Sequence, residues 1–265
     1  MTTIPLFPLS GVLLPHGKMP LQVFEQRYLD LIRSSMKSGE PFGIVWIRRG
    51  SEVTQRGRAS AELGDWGTLA RIVDWDQLPN GLLGITVEGQ GRFDLFETET
   101  QGNGLVLGEV EYRSDPAPAP MMPQWQSMLD VLHSLETHPH VQRMGLSPDY
   151  SDAWQVAWVL VQLLPLDEYI KYELLGLDSI EEFMAELDLI LNQIEPALRE
   201  KMDLGQARTL PIEIAEEACN NVLWGRSCEV LLVLVEIPDR WRGTSSLPVS
   251  LGVLSLLSTR LHSLQ

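Results

Sequence analysis

Residues 4–28 contain Ile4-Pro5-Leu6-Phe7-Pro8-Leu9, then Val12-Leu13-Leu14-Pro15, then Met19-Pro20-Leu21-Gln22-Val23-Phe24-Glu25-Gln26-Arg27-Tyr28. Four prolines among apolar residues fix φ and remove backbone donors, so the stretch is extended, with each proline at a strand end, edge or crossing. It cannot open as a helix. From Gln26 the pattern changes, because Tyr28, Leu29, Ile32 and Met36 recur at helical spacing, Gly39 stands at the stop and Pro41 follows. Strand, turn and helix follow one another within about forty residues, and the helix needs a sheet to cover its apolar stripe. Phe7, Leu21 and Phe24 are expected in the core, as large apolar residues usually are.

The next region reads as sheet. Phe42 to Ile47 is a short β-branched run, and the polar loop after it carries Arg48, Arg49, Arg56 and Arg58. Leu63 to Thr68 leads into Leu69 to Trp75, and Asn80-Gly81 supplies the positive φ of a tight turn. Leu83 to Glu88 and Arg92 to Glu97 read as two strands split at Gly89-Gln90-Gly91, and Gly102-Asn103-Gly104 turns the chain into Leu105 to Tyr112. Short strands at this spacing, with glycine turns and one early helix, predict a small mixed sheet or pseudo-barrel.

Ser114 to Pro123 alternates proline with small residues, which predicts an extended spacer. Beyond it the period turns helical. Trp125, Met128, Leu129, Leu132 and Leu135 mark one face, and Trp154, Ala157, Trp158, Val161 and Leu164 mark another that ends at Pro165. Asp167 is placed to cap a helix running to Leu175, with Gly176 as its stop. Ser179-Ile180-Glu181-Glu182 is a capping box, and Ile180, Phe183, Met184, Leu187, Leu191 and Ile194 make an unbroken stripe behind it.

The formal charge of -16 is uneven. Residues 114–200 hold 15 acidic against 3 basic residues, while 1–113 hold 14 against 11. A surface so acidic repels phosphate backbones and anionic membranes. No basic segment followed by an apolar core opens the chain, no apolar run approaches a membrane span, and Cys219 and Cys228 form no Cys-x-x-Cys pair. A reducing cytoplasm suits this composition.

Motifs for chemistry are missing. Gly11 to Lys18 has five residues between its glycines, and Met19 stands where a phosphate loop needs Ser or Thr. Gly89-Gln90-Gly91 lacks the third glycine of a dinucleotide loop. His138-Pro139-His140 has no cysteine nearby, and Asp74 with Asp76 is a pairing that an acidic chain produces by chance. No cofactor, no metal and no catalytic residue is therefore expected.

The opening resembles the amino-terminal, substrate-binding domain of Lon proteases, on Pro5 to Leu9, Val12 to Pro15, Pro20-Leu21 and Phe24-Glu25-Gln26-Arg27-Tyr28. Gly67-Thr68, Asn80-Gly81, Val87-Glu88-Gly89 and Arg92-Phe93 fall where further landmarks of that family stand, while Phe183-Met184 departs from the family's Arg-Leu. The resemblance covers roughly residues 4–195. It implies an α+β fold, with a PUA-like β pseudo-barrel lobe over 1–113, a proline-rich linker over 114–124 and an acidic helical lobe over 125–200. Residues 201–265 match nothing in it.

For function, the resemblance implies a stand-alone recognition module that binds unfolded or tagged polypeptide in a groove between the lobes and does not cut it. An adaptor role in protein quality control, alongside a protease, follows from the same likeness. Glu25, Arg27 and Tyr28 are the binding candidates: Arg27 can grip a carboxylate at two points, and Tyr28 joins apolar area to a polar tip. Pairing of Glu25 and Arg27 with neighbouring structure is the competing account. An RNA-binding PUA-like module using the loop arginines and a peptidase-type hydrolase are the alternative functions.

Overall fold

The computed structural model describes residues 1–50 and 61–203, without the side chains of His140 and residues 193–203. Arg56, Arg58, the Ile194 side chain and the extension beyond Asp203 therefore lie outside the described residues. The chain divides into two compact units, the larger of which holds Met1–Leu187. In the second, the described part is the stretch of helix from Asp188 to Asp203.

Among the described residues, six strands build the first lobe: β1 (Thr2–Leu9), β2 (Lys18–Val23), β3 (Phe42–Arg49), β4 (Glu62–Gln77), β5 (Leu83–Thr100) and β6 (Val106–Tyr112). They run in the order β2-β5-β4-β3-β1-β6, and β5 pairs with β6 as well. That extra pairing closes β5, β4, β3, β1 and β6 into a ring, with β2 added outside it along the first part of β5. Closure removes the sheet edges that an open arrangement would expose. The predicted pseudo-barrel is thus a closed one.

Prolines sit in this ring as their chemistry requires. β1 pairs antiparallel with β6 from Thr2 to Leu6 and parallel with β3 from Leu6 to Leu9. Pro5 and Pro8 consequently each lie where the strand has a neighbour on one side only, and Pro20 lies on the outer strand β2. A missing N–H is tolerated at such positions.

The crossover from β2 to β3 is helix α1 (Gln26–Ser38), whose C-cap Gly39 takes φ 74°. It buries Tyr28, Leu31 and Ile32 against Phe7, Leu21, Phe42 and Ile85. Ile4, Leu6, Val45, Phe93 and Val110 form a second cluster. Met36, expected on the stripe, is exposed, and so is Phe24. Phe24 follows buried Leu21 and Val23 in a period-two alternation and therefore falls on the outer face.

One expected turn is absent. Residues 83–100 form a single strand through Gly89 and Gly91, and the glycines mark a register shift between Thr68 and Ala70 on β4. At Gly89 a Cβ would collide with the backbone carbonyl of Leu14. The residue is glycine because the β1–β2 connection lies directly on the strand, where His16 N–H donates to Gly89 O and Gly89 N–H to Gly17 O, both at 2.9 Å.

The second lobe comprises α2 (Gln126–Glu136), α3 (Pro139–Met144), α4 (Ala153–Leu163), α5 (Glu168–Gly176) and α6 (Ile180–Asp203). Helix α4 is buried on almost every side, and Asp152 caps it by accepting from Trp154 N–H. Asp167 caps α5 in the same manner through Tyr169 N–H, and Ser179 Oγ accepts from Glu182 N–H at the start of α6. Ile180, Phe183, Met184 and Leu187 of α6 are buried. Residues 114–122 are extended, and Ala153 N–H and Met121 N–H bond across to Ala119 O and Ser151 O. The proline-rich stretch is thereby tied to the loop that precedes α4.

Candidate functional site

The seam between the two lobes is filled by side chains that satisfy each other. Tyr172 of α5 is buried and stacks on Trp66 of β4, with ring centroids 4.5 Å apart. Its hydroxyl accepts from Asp65 N–H at 2.8 Å and from Arg48 at 3.0 Å, and burial raises its pKa. Arg92 of β5 donates to the carbonyls of Leu175 and Leu177 and pairs with Asp178 at 2.9 Å. Arg113 joins Asp94 and the carbonyl of Gly176. Farther along, Val12 N–H donates to Glu168 and Leu14 N–H to Gln162, so the β1–β2 connection is pinned to α5 and α4. Arg48, expected in the polar loop, instead belongs to β3 and is spent here on Asp65 and Tyr172.

Glu25, Arg27 and Tyr28 come together at the start of α1. Arg27 is buried, pairs with Glu25 at 2.9 Å, donates to Gly104 O at 2.7 Å and lies over the Tyr28 ring. Tyr28 in turn stacks on Phe7 with centroids 3.9 Å apart. These contacts tie the β5–β6 turn and β1 to the first turn of the helix. Glu25 is the most accessible of the three, at 22% side-chain exposure against 8% for Arg27.

A depression of about 180 Å³ opens elsewhere, on the outer side of the β2-β5-β4 section. Strand register explains its make-up. Pro20 pairs with Thr86 and Thr86 with Asp74, while Gln22 pairs with Gly84 and Gly84 with Asp76. Alternation turns these two rows to one face, away from Leu21 and Ile85 of the core. Gly84 makes the floor: a Cβ there would stand 2.9 Å from Leu78 Cδ2, so the leucine folds over bare backbone. Pro20 and Leu78 supply apolar walls, and Asp74 and Asp76 form a rim on the β4 side.

One large apolar side chain flanks this trough in solvent. Phe24, two residues beyond Gln22, is 56% exposed. Trp75 pairs with Ile85 where β4 has run past the core, so it projects from the other face of the sheet and is 61% exposed there. A shallow, apolar-walled depression with an exposed aromatic beside it suits an extended chain carrying apolar side chains. The arrangement offers shape and apolar area; the residues lining it hold no nucleophile paired with a base.

These residues carry no chemical motif in the sequence: Leu78 to Leu82 marks a turn, and Asp74 with Asp76 is a pairing that an acidic chain produces by chance. The signal is Asp74 and Asp76 at strand spacing, which puts both carboxylates on one face of a strand that outruns the core.

A closed β ring and a helical lobe sealed to it define a two-lobe module. Residues 3–193 match the family model of the ATP-dependent protease La (LON) substrate-binding domain, and the chain belongs to that family. The crystal structure of a Lon N-terminal domain protein from Xanthomonas campestris superposes with a TM-score of 0.56 and 32% identity, covering 71% of this chain and 97% of that one. Lon protease 2 of Herpetosiphon aurantiacus is 26% identical over 199 residues, which are 72% of this chain and 24% of that protein. Lon protease 2 of Myxococcus xanthus is 32% identical over 95 residues, 36% of this chain and 11% of that protein. The chain thus spans a quarter or less of the length of these curated relatives.

Proposed function

We propose that this chain binds unfolded or tagged polypeptide through the trough above Gly84 and delivers it without cutting it, as an adaptor in protein quality control that works beside a protease in the cytoplasm. The observation that carries the reading is the apolar wall of Pro20 and Leu78 around a side-chain-free floor, with Phe24 exposed beside it. The family's description as a substrate-binding domain supports it. Glu25, Arg27 and Tyr28 serve the same end by fixing the turn that carries Phe24 outward.

The test is fluorescence anisotropy of a labelled, permanently unfolded polypeptide titrated with the purified chain in the absence of ATP, with the label followed on a gel for hours. Saturable binding of intact polypeptide is expected. A Phe24→Ala, Leu78→Ser double variant should bind about tenfold more weakly while melting close to the parent, because Phe24 is exposed and Leu78 is only half-buried. No binding, or cleavage of the label, overturns the proposal.

A further inference from the structure

The trough is apolar along its walls and anionic along one side only. Asp74 and Asp76 are exposed, their Oδ1 atoms accept from the following backbone N–H of Trp75 and Gln77, and no cation pairs with either among the described residues. The neighbouring row behaves differently, since Glu88 lies opposite Lys18 and is bonded to Arg71 at 3.0 Å. Negative charge on this face is therefore neutralised in one row and left open in the two rows that line the depression.

Resting on the reading of the trough as a polypeptide site, we infer that its preferred occupant is an extended segment in which an apolar residue is flanked by lysine or arginine. Asp74 and Asp76 stand two residues apart on a strand, a separation of about 6.6 Å that equals the repeat of side chains on one face of an extended ligand. An apolar side chain that rests over Gly84 against Leu78 leaves its two neighbours on the other side of the extended segment, from where the long stems of lysine or arginine reach round to the two carboxylates on the rim. An acidic flank in the same place meets two like charges, which discriminates as well as the attraction does. The overall charge of -16 adds a long-range field that favours cationic segments during encounter.

Three labelled peptides with one shared apolar centre and flanks of lysine, of serine or of aspartate separate the possibilities. At low salt the lysine-flanked peptide should bind the full chain about fivefold to tenfold more tightly than the serine-flanked one, and the aspartate-flanked peptide more weakly than either. The preference should shrink as salt is raised toward 0.5 M. Asp74→Asn with Asp76→Asn keeps an oxygen acceptor for each backbone N–H and should bring the lysine-flanked peptide down to the level of the serine-flanked one. Equal binding of all three peptides, or a preference that survives in the double variant, overturns the charge selection and leaves the trough standing. Failure of all three to bind overturns the trough as a polypeptide site and the selection with it.

Discussion

Tyr172 lies flat on Trp66, with the two ring planes 2° from parallel and the Trp66 indole N–H donating to the Tyr172 carbonyl at 3.1 Å. One residue of α5 thereby receives a ring, a backbone N–H and an arginine from the β lobe. Stacking is worth about 0.5–1.5 kcal/mol beyond the area it buries. Tyr172→Phe keeps the stack but leaves Asp65 N–H and part of Arg48 without their acceptor, which should cost about 1–3 kcal/mol in urea unfolding. Tyr172→Ala also opens a cavity and should cost about 3–5 kcal/mol. If the two variants unfold together, the hydroxyl and not the ring holds the seam.

Arg92 and Asp178 form an unequal pair, with side chains 4% and 73% exposed. Removing the buried member also strands the carbonyls of Leu175 and Leu177, whereas removing the exposed one leaves Arg92 with both. Arg92→Met is expected to lose about 2–4 kcal/mol and Asp178→Asn below about 1 kcal/mol, both read from denaturant midpoints. Comparable losses would mean that the ion pair, and not the capture of two carbonyls, closes the lobes.

Local order was legible where a short stretch carries its own constraint. The prolines before Phe24 exclude helix, Gly39 stops α1, Asn80-Gly81 and Gly102 to Gly104 turn hairpins, and Asp167 caps α5. The parallel pairing of β1 with β3 and the antiparallel pairing of β1 with β6 join distant segments, and no local pattern encodes them. Gly89 illustrates the limit: its lack of a side chain announces either a turn or a close approach, and only the position of Leu14 decides. The trough needs three strands in register before Gly84 becomes a floor.

That glycine pair makes a sharp comparison. At Gly89 an added methyl meets the Leu14 backbone, while at Gly91 its nearest neighbour is a carboxylate oxygen of Asp115 at 3.2 Å, the end of a side chain that can swing aside. Gly89→Ala should therefore destabilise by about 2–4 kcal/mol and Gly91→Ala by less than about 1 kcal/mol. Thermal melts of the two proteins test the assignment, and an unperturbed Gly89→Ala melt would show that the β1–β2 connection does not press on β5.

Glu173, on the half-buried side of α5, has its carboxyl pKa raised by burial, with the charge of Arg48 acting in the opposite direction. The folded chain then holds a proton that the unfolded chain releases, so the stability tied to this group is complete below the ordinary glutamate pKa, about 4.3, and is lost as pH rises through the folded value. Glu173→Gln is neutral throughout and nearly isosteric with the protonated acid. Urea midpoints of parent and variant should accordingly coincide near pH 4, and the variant should become the more stable protein as pH rises toward 7. A variant less stable than the parent at pH 7 would show that attraction to Arg48 outweighs the loss of solvent around the carboxylate.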